Sequence, residues 1–121
     1  MTATLPTILV FDDDLIDHPD FLARLPARFV YRRSADDALA DVAEVRPDAV
    51  FMDFSMNARL SGAQATELLR AHHPHGTLPI VAISSDARLN RKMCLLGATE
   101  GVTKIALPEQ FGHLLRHVLK R

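Results

Sequence analysis

The sequence has a single cysteine among its 121 residues and no long apolar stretch. Cys94 cannot form an internal disulfide or a cysteine-based metal site, so we expect a protein of the reducing cytoplasm. No apolar run approaches the roughly 20 residues that a membrane-spanning helix needs, so a membrane partner is not expected. The net charge is −1, from 14 Lys and Arg against 15 Asp and Glu, and without a basic field we expect no direct nucleic-acid binding.

The first twenty residues also lack lysine and arginine. They contain five aspartates instead, Asp12, Asp13, Asp14, Asp17 and Asp20. Negative charge at this density disfavours folding unless a cation or a similar group compensates it. The whole chain is otherwise 48% hydrophobic and 24% charged, which is typical of a globular protein, and its length predicts a single domain over residues 1–121.

Five short apolar runs alternate with stretches of helical character. The runs are 8–11, 29–31, 49–52, 80–83 and 102–105. They are continuous rather than alternating, which is typical of strands covered on both faces of a parallel sheet. The run 29–31 is the weakest, and the following Arg32 and Arg33 indicate an edge strand. Strands that alternate with helices predict an α/β domain with a parallel sheet.

Capping residues mark four of the helices. Their predicted starts are Ser34, Ser61 with Gln64 as a capping box, Asp86, and Pro108. Gly97 is the predicted stop of the helix that Asp86 begins. The helix between the first two strands is poorly defined, because Pro19 starts it and Pro26 ends it, which leaves about two turns.

Polar side chains follow the strands at their carboxyl ends. Asp12 and Asp13 follow the first run, Asp53 the third and Ser84 the fourth, and Lys104 lies in the fifth. In an open α/β sheet the functional site lies outside the carboxyl ends of the strands. We therefore expect three carboxylates, a hydroxyl and an ammonium group to converge on one rim.

This set of side chains suits phosphoryl transfer. Crowded carboxylates need a hard cation, and Mg²⁺ held by carboxylates and water fits that requirement. A carboxylate can attack phosphorus to form an aspartyl phosphate. The metal, Lys104 and the Ser84 hydroxyl would neutralise the phosphoryl oxygens. Asp14 and Ser85 remain alternatives to their neighbours, because each is one residue away.

At these positions the chain resembles the receiver domain of bacterial two-component response regulators. The matching segments are 8–13, Asp53, 82–84 and 97–104, in order along nearly the whole chain. The resemblance implies a flavodoxin-like (βα)5 doubly wound parallel sheet with strand order 2-1-3-4-5. It implies a signalling switch rather than an enzyme, in which Asp53 accepts a phosphoryl group from a histidine kinase or a histidine phosphotransfer protein. The switch would then act on a downstream protein or output domain.

The resemblance also implies a role for each site residue. Mg²⁺ would be held by Asp12, Asp13, Asp53 and the backbone carbonyl of Ser55. Ser84 and Lys104 would contact the phosphoryl group. The chain departs from the family pattern at Gly101, where the family has its switch aromatic, in its short first helix, and in a longer 55–61 loop. We therefore expect either a muted change on the face formed by the fourth helix and the fifth strand, or a signal carried by the loops after Asp53 and Ser84. The side chains expected to point outward from the first loop are Met56, Arg59 and Leu60.

Two other functions fit parts of the sequence. A pseudo-receiver would bind a protein without being phosphorylated, which Gly101 favours and the intact set of acids, serine and lysine opposes. Asp12, Asp13 and Asp14 loosely match the opening of haloacid-dehalogenase-type phosphatases. That family needs further acids after its lysine, but only Glu109 follows Lys104 here.

Other candidate residues have simpler interpretations. The histidine pair His113 and His117 and the cluster at 72–75 are interpreted as surface residues rather than metal ligands. The basic residues at 88–92 are interpreted as a solvated face. Cys94 is interpreted as a core or half-core residue.

Overall fold

The structure is a computed structural model that describes residues 4–120. Five parallel strands form one sheet in the order β2-β1-β3-β4-β5, which confirms the predicted fold class. The strands are β1 (Thr7–Phe11), β2 (Arg28–Arg32), β3 (Ala49–Met52), β4 (Ile80–Ala82) and β5 (Glu100–Gly101). The helices are α1 (Ala38–Val45), α2 (Gly62–His72), α3 (Ala87–Leu95) and α4 (Leu107–His117). In the part of the chain that the structure describes, no helix is long and apolar enough to cross a bilayer.

Helices cover both faces of the sheet. One face packs against α1, α2 and α3, and the other packs against α4. On the α4 side, Phe111 meets Phe51 edge-on, with ring centroids 6.4 Å apart. The central strands are buried on both faces, which explains their continuous apolar sequence, whereas β2 lies at the edge and is only half-buried.

The connection between β1 and β2 differs from the prediction. The helix expected between Pro19 and Pro26 is wrong, because the chain forms two short 3-10 turns at Leu15–Asp17 and Pro19–Phe21 instead. So few residues between two prolines form too few helical hydrogen bonds to offset the cost of nucleation. Leu15 and Leu22 are buried against the α4 side of the sheet, so this segment still covers the core.

Two further boundaries are corrected by the structure. Ser34 does not cap α1, which begins after Asp37, and the Ser34 hydroxyl instead accepts a hydrogen bond from the Asp36 amide at 3.4 Å. The fifth strand lies two residues earlier than predicted, and Lys104 begins a 3-10 turn rather than lying in a strand. The chain must leave the sheet there because α4 begins only three residues later, at Leu107.

The other predicted helix ends are confirmed. The Ser61 hydroxyl accepts a hydrogen bond from the Gln64 amide at 3.1 Å, and the Ser61 amide donates one to Oε1 of the Gln64 side chain at 2.9 Å. Asp86 caps α3 by accepting from the Arg88 amide at 2.9 Å. Gly97 follows α3 with a φ of 129°, a conformation that a side chain disfavours.

Candidate functional site

Asp12 and Asp53 lie next to each other because their strands are neighbours. Each follows the last residue of its strand, and the register pairs Phe11 of β1 with Met52 of β3. The Asp53 amide donates to the Phe11 carbonyl at 3.0 Å, which continues the ladder one residue beyond the strands. Asp12 is fully buried and Asp53 is 6% exposed. Two buried carboxylates are costly unless a positive group accompanies them.

Lys104 supplies part of that positive charge. Its Nζ lies 2.8 Å from Oδ2 of Asp12 and 3.7 Å from Oδ2 of Asp53. Burial by itself would lower the pKa of Lys104, but the hydrogen bond to Asp12 and the charges of both aspartates outweigh burial and raise that pKa. Lys104 therefore remains an ammonium group at neutral pH.

One ammonium group does not balance this cluster. Burial and the charge of Asp12 raise the pKa of Asp53 to about 6, although Lys104 acts in the opposite direction. Carboxylate oxygens of Asp12, Asp13 and Asp53 lie within 4.8 Å of one another. A compact set of oxygen donors with unbalanced negative charge suits a small hard dication such as Mg²⁺.

The two aspartates after β1 are also tied to the loops around them. Oδ1 of Asp12 accepts hydrogen bonds from the amides of Asp14 and Leu15 at 2.8 and 3.0 Å, so Asp12 also holds the backbone at the start of the first 3-10 turn. Oδ2 of Asp13 accepts from the Asn57 amide at 3.1 Å, which connects the acid cluster to the loop after β3. Asp14 is exposed and lies outside the cluster of three carboxylates.

Ser84 lies after β4 and is buried, whereas the neighbouring Ser85 is exposed. Asn90, which was not among the predicted site residues, holds this segment. Its Oδ1 accepts from the Ser84 amide at 2.7 Å, and its Nδ2 donates to the Ser84 carbonyl at 3.0 Å. The available signal was an asparagine three residues before the buried Met93, on the side of α3 that faces the sheet.

Asn90 also occupies the space beside Gly101. A Cβ at Gly101 would lie 2.8 Å from the Cβ of Asn90, which is closer than two such carbons approach each other. The position therefore has no room for the aromatic side chain that the family carries. Asn90 of α3 fills the space that an aromatic side chain at residue 101 would need.

Gly62 is a second residue whose role was missed. A Cβ there would overlap the backbone carbonyl oxygen of Asp53, so the start of α2 approaches the end of β3 closely only because residue 62 is glycine. The Gly62 amide donates to the Phe54 carbonyl at 2.8 Å. Gly62 thereby positions the backbone of Asp53, and its place directly after the capping residue Ser61 was the signal.

The 55–61 loop is anchored rather than free. Met56 is only 8% exposed and packs into the core below α1 and α2, so the expectation that it points outward is wrong. The reason is that removing the apolar Met56 side chain from water into the adjacent core lowers the free energy of the folded chain. Arg59 is exposed, and Leu60 is partly buried. The Asp36 carboxylate accepts from the amides of both residues, at 3.3 and 2.8 Å. Ser55 is exposed, two residues after Asp53.

A cleft of about 670 Å³ opens beside Lys104. Its walls are formed by Asp14, Leu15, His18, Asp20, Phe21, Ser85, Lys104 and Ile105. Phe21 is 39% exposed and Ile105 is 85% exposed, so apolar surface faces solvent next to the charged site. The short 3-10 turns that replace the first helix form one wall of this cleft.

Comparison with curated sequences identifies a relative in nitrogen regulation. No family model matches the chain. The nitrogen assimilation regulatory protein NtrX of Azorhizobium caulinodans is 31% identical over 75 residues. The match covers 60% of this chain but only 16% of NtrX, so the chain spans a small part of that relative's length.

Solved structures of receiver domains superpose on nearly the whole chain. The receiver domain of sensor histidine kinase PA1611 from Pseudomonas aeruginosa has a TM-score of 0.79 at 22% identity, over 98% of this chain and 100% of that one, and holds a magnesium ion in its active-site cleft. Chemotaxis protein CheY4 of Vibrio cholerae has a TM-score of 0.74 at 20% identity, over 95% and 99%. NtrX from Brucella abortus has a TM-score of 0.76 at 25% identity, over 93% and 27%. The resemblance predicted from the sequence is therefore confirmed: this chain has the fold of response regulator receiver domains.

Proposed function

We propose that residues 1–121 act as one phosphoryl-accepting receiver domain of a two-component or phosphorelay system. Asp53 takes the phosphoryl group from a histidine kinase or a histidine phosphotransfer protein in the cytoplasm. The observation that carries this proposal is the position of Asp53, at the end of β3, clustered with two further carboxylates and 3.7 Å from the Lys104 ammonium. The phosphorylated domain then binds a downstream protein or output domain.

In the proposed transfer, a carboxylate oxygen of Asp53 attacks phosphorus. The bond between phosphorus and the donor's imidazole nitrogen breaks, and its electron pair stays with that nitrogen. Asp53 must be ionised to attack, and a pKa of about 6 leaves it mostly ionised at neutral pH. The raised pKa also makes its oxygen more basic than an ordinary carboxylate oxygen, which favours nucleophilic attack.

The remaining site residues stabilise the transferred group. The ammonium of Lys104 contacts Asp12 more closely than Asp53, so it can keep the first contact and exchange the second for a phosphoryl oxygen. The Ser84 hydroxyl can donate to another phosphoryl oxygen. Mg²⁺, held by Asp12, Asp13, Asp53 and the Ser55 carbonyl, would supply charge neutralisation for the same oxygens.

The cleft beside Lys104 supports the proposed class of donor. A helix that presents a phosphohistidine must bring an apolar surface and a phosphoryl group to the same place. The exposed Phe21 and Ile105 offer an apolar contact in the cleft that Lys104 also lines. A donor docked there would place its imidazole at the carboxyl edge of the sheet.

Intact mass after incubation with acetyl phosphate and Mg²⁺ tests this function. We expect the wild-type chain to gain one phosphoryl group, and the Asp53→Asn variant or chelation of the metal to prevent it. Asp14→Asn is the matched control, because Asp14 is exposed and outside the carboxylate cluster, and it should be modified like the wild type. An unmodified wild-type mass at every donor concentration would support a pseudo-receiver. Continued hydrolysis of a phosphate ester would support a phosphatase.

A further inference from the structure

A second group of metal-ligating side chains lies between β5 and α4, away from Asp53. Nε2 of His113 lies 3.0 Å from Oε1 of Glu100. The rings of His113 and His117, one helical turn apart, have centroids 4.8 Å apart and planes tilted by 38°. Two histidines at this spacing on one helix face are a recurring zinc-binding pair.

The two distances are close to those that a shared tetrahedral ion would require. With metal–nitrogen and metal–oxygen bonds of about 2.1 Å, tetrahedral geometry places two donor atoms about 3.4 Å apart and two bound imidazole centroids about 5.3 Å apart. The observed 3.0 and 4.8 Å are about 0.4 and 0.5 Å shorter than these values, so the ligands would move apart slightly to hold an ion. Within residues 4–120, only Asp12, Asp13 and Asp53 already bring three such ligand atoms within 4.8 Å of one another. The exposed His117 ring must therefore rotate to direct a nitrogen toward the point between Glu100 and His113.

The Glu100 carboxylate provides an independent observation. Its second oxygen, Oε2, is buried and has no hydrogen-bond partner among residues 4–120. A buried carboxylate oxygen without a donor is costly, and such atoms are uncommon in folded proteins. A cation bound by this carboxylate would remove that cost.

We propose that Glu100, His113 and His117 form a binding site for a transition-metal dication of the zinc class. Imidazole nitrogens favour such ions, whereas Mg²⁺ prefers oxygen ligands, so this site and the carboxylate cluster would select different metals. The bound ion would connect β5 to α4 through side chains from both elements. The proposal does not depend on phosphorylation of Asp53.

Zinc binding to the full chain in the presence of excess Mg²⁺ tests the proposal. The parent for all these measurements is the Cys94→Ser variant, so that the thiol does not contribute to zinc binding. The affinity is measured by competition with a chromophoric chelator. We expect one equivalent of Zn²⁺ to bind, and binding to weaken by at least about tenfold in the His113→Gln, His117→Gln double variant. The melting temperature should rise with Zn²⁺ in the parent and not in the double variant.

Two control variants make the result specific. His72 and His75 are exposed histidines near the end of α2, and their Gln double variant should bind Zn²⁺ like the parent. Asp53→Asn should also bind Zn²⁺ unchanged, which separates this proposal from the proposed phosphorylation. Unchanged affinity in the His113, His117 variant would overturn the site. So would loss of binding in either control, because the ion would then lie elsewhere.

Discussion

Asp53 should destabilise the metal-free fold, and replacing it with asparagine should stabilise that fold. The side chain is buried beside the Asp12 carboxylate, and its pKa rises from 3.8 to about 6 in the folded protein. Between those two values the folded chain binds more protons than the unfolded chain. The free energy of unfolding therefore falls as the pH rises through this window, and the full cost is present above it.

The difference between the two pKa values corresponds to about 3 kcal/mol at neutral pH. Asparagine has nearly the same shape and does not ionise, so the variant escapes this cost. At about pH 4 most of the cost is absent in the wild type. We therefore expect the stability advantage of Asp53→Asn to grow by about 2 to 3 kcal/mol between about pH 4 and pH 7.5.

Urea unfolding with a metal chelator, at both pH values, measures this advantage. Asp37→Asn is the control, because Asp37 is exposed at the start of α1. Its free energy of unfolding should stay close to that of the wild type at both pH values. Adding Mg²⁺ at the higher pH should reduce the advantage of Asp53→Asn, since the cation neutralises the carboxylates of the wild type. An advantage that is absent at pH 7.5, or equal at both pH values, would refute the electrostatic argument.

Three further predictions concern the metal, the Ser84 segment and the signal. Mg²⁺ should raise the melting temperature at low ionic strength and do so less in Asp13→Asn, and no response to millimolar Mg²⁺ would exclude a metal site. Asn90→Leu should cost about 2 to 4 kcal/mol in urea unfolding, because the Ser84 amide and carbonyl lose buried partners, and a neutral result would contradict this role. On phosphorylation, amide chemical shifts should change most in 54–62 and 84–90, because Asn57 contacts Asp13 and Asn90 contacts Ser84. A dominant change in 99–105 would contradict this prediction and indicate that the signal passes through the segment around Gly101 even without the aromatic side chain.

Local sequence patterns predicted the central sheet well. The runs that became β1, β3 and β4 differ from the observed strands by at most one residue, because a strand buried on both faces has a continuous apolar sequence. The Ser61–Gln64 capping box was equally clear, because its hydrogen bonds join residues three apart. The two-residue β5 was misplaced because its pairing depends on Val81 and Ala82 of a distant segment.

The positioning residues of the site were harder to predict, because their contacts join segments that are remote along the chain. Asp36 holds the Leu60 amide across 24 residues of sequence, and nothing near Asp36 indicates that partner. Asn90 resembles any polar residue of a helix until its side chain is found buried against Ser84. Gly62 becomes informative only when the carbonyl of Asp53 is seen beside it.

The sequence by itself determined that Asp12 and Asp53 directly follow two strands of a parallel sheet, and it predicted that Asp13, Ser84 and Lys104 lie at the same rim. That follows from chain direction alone, since the carboxyl ends of parallel strands lie on the same side of a sheet. Only the tertiary structure decided that Lys104 lies closer to Asp12 than to Asp53, that Met56 faces inward, and that Asn90 fills the space beside Gly101. Those outcomes depend on how side chains from distant segments divide a limited interior volume, and no local pattern encodes that division.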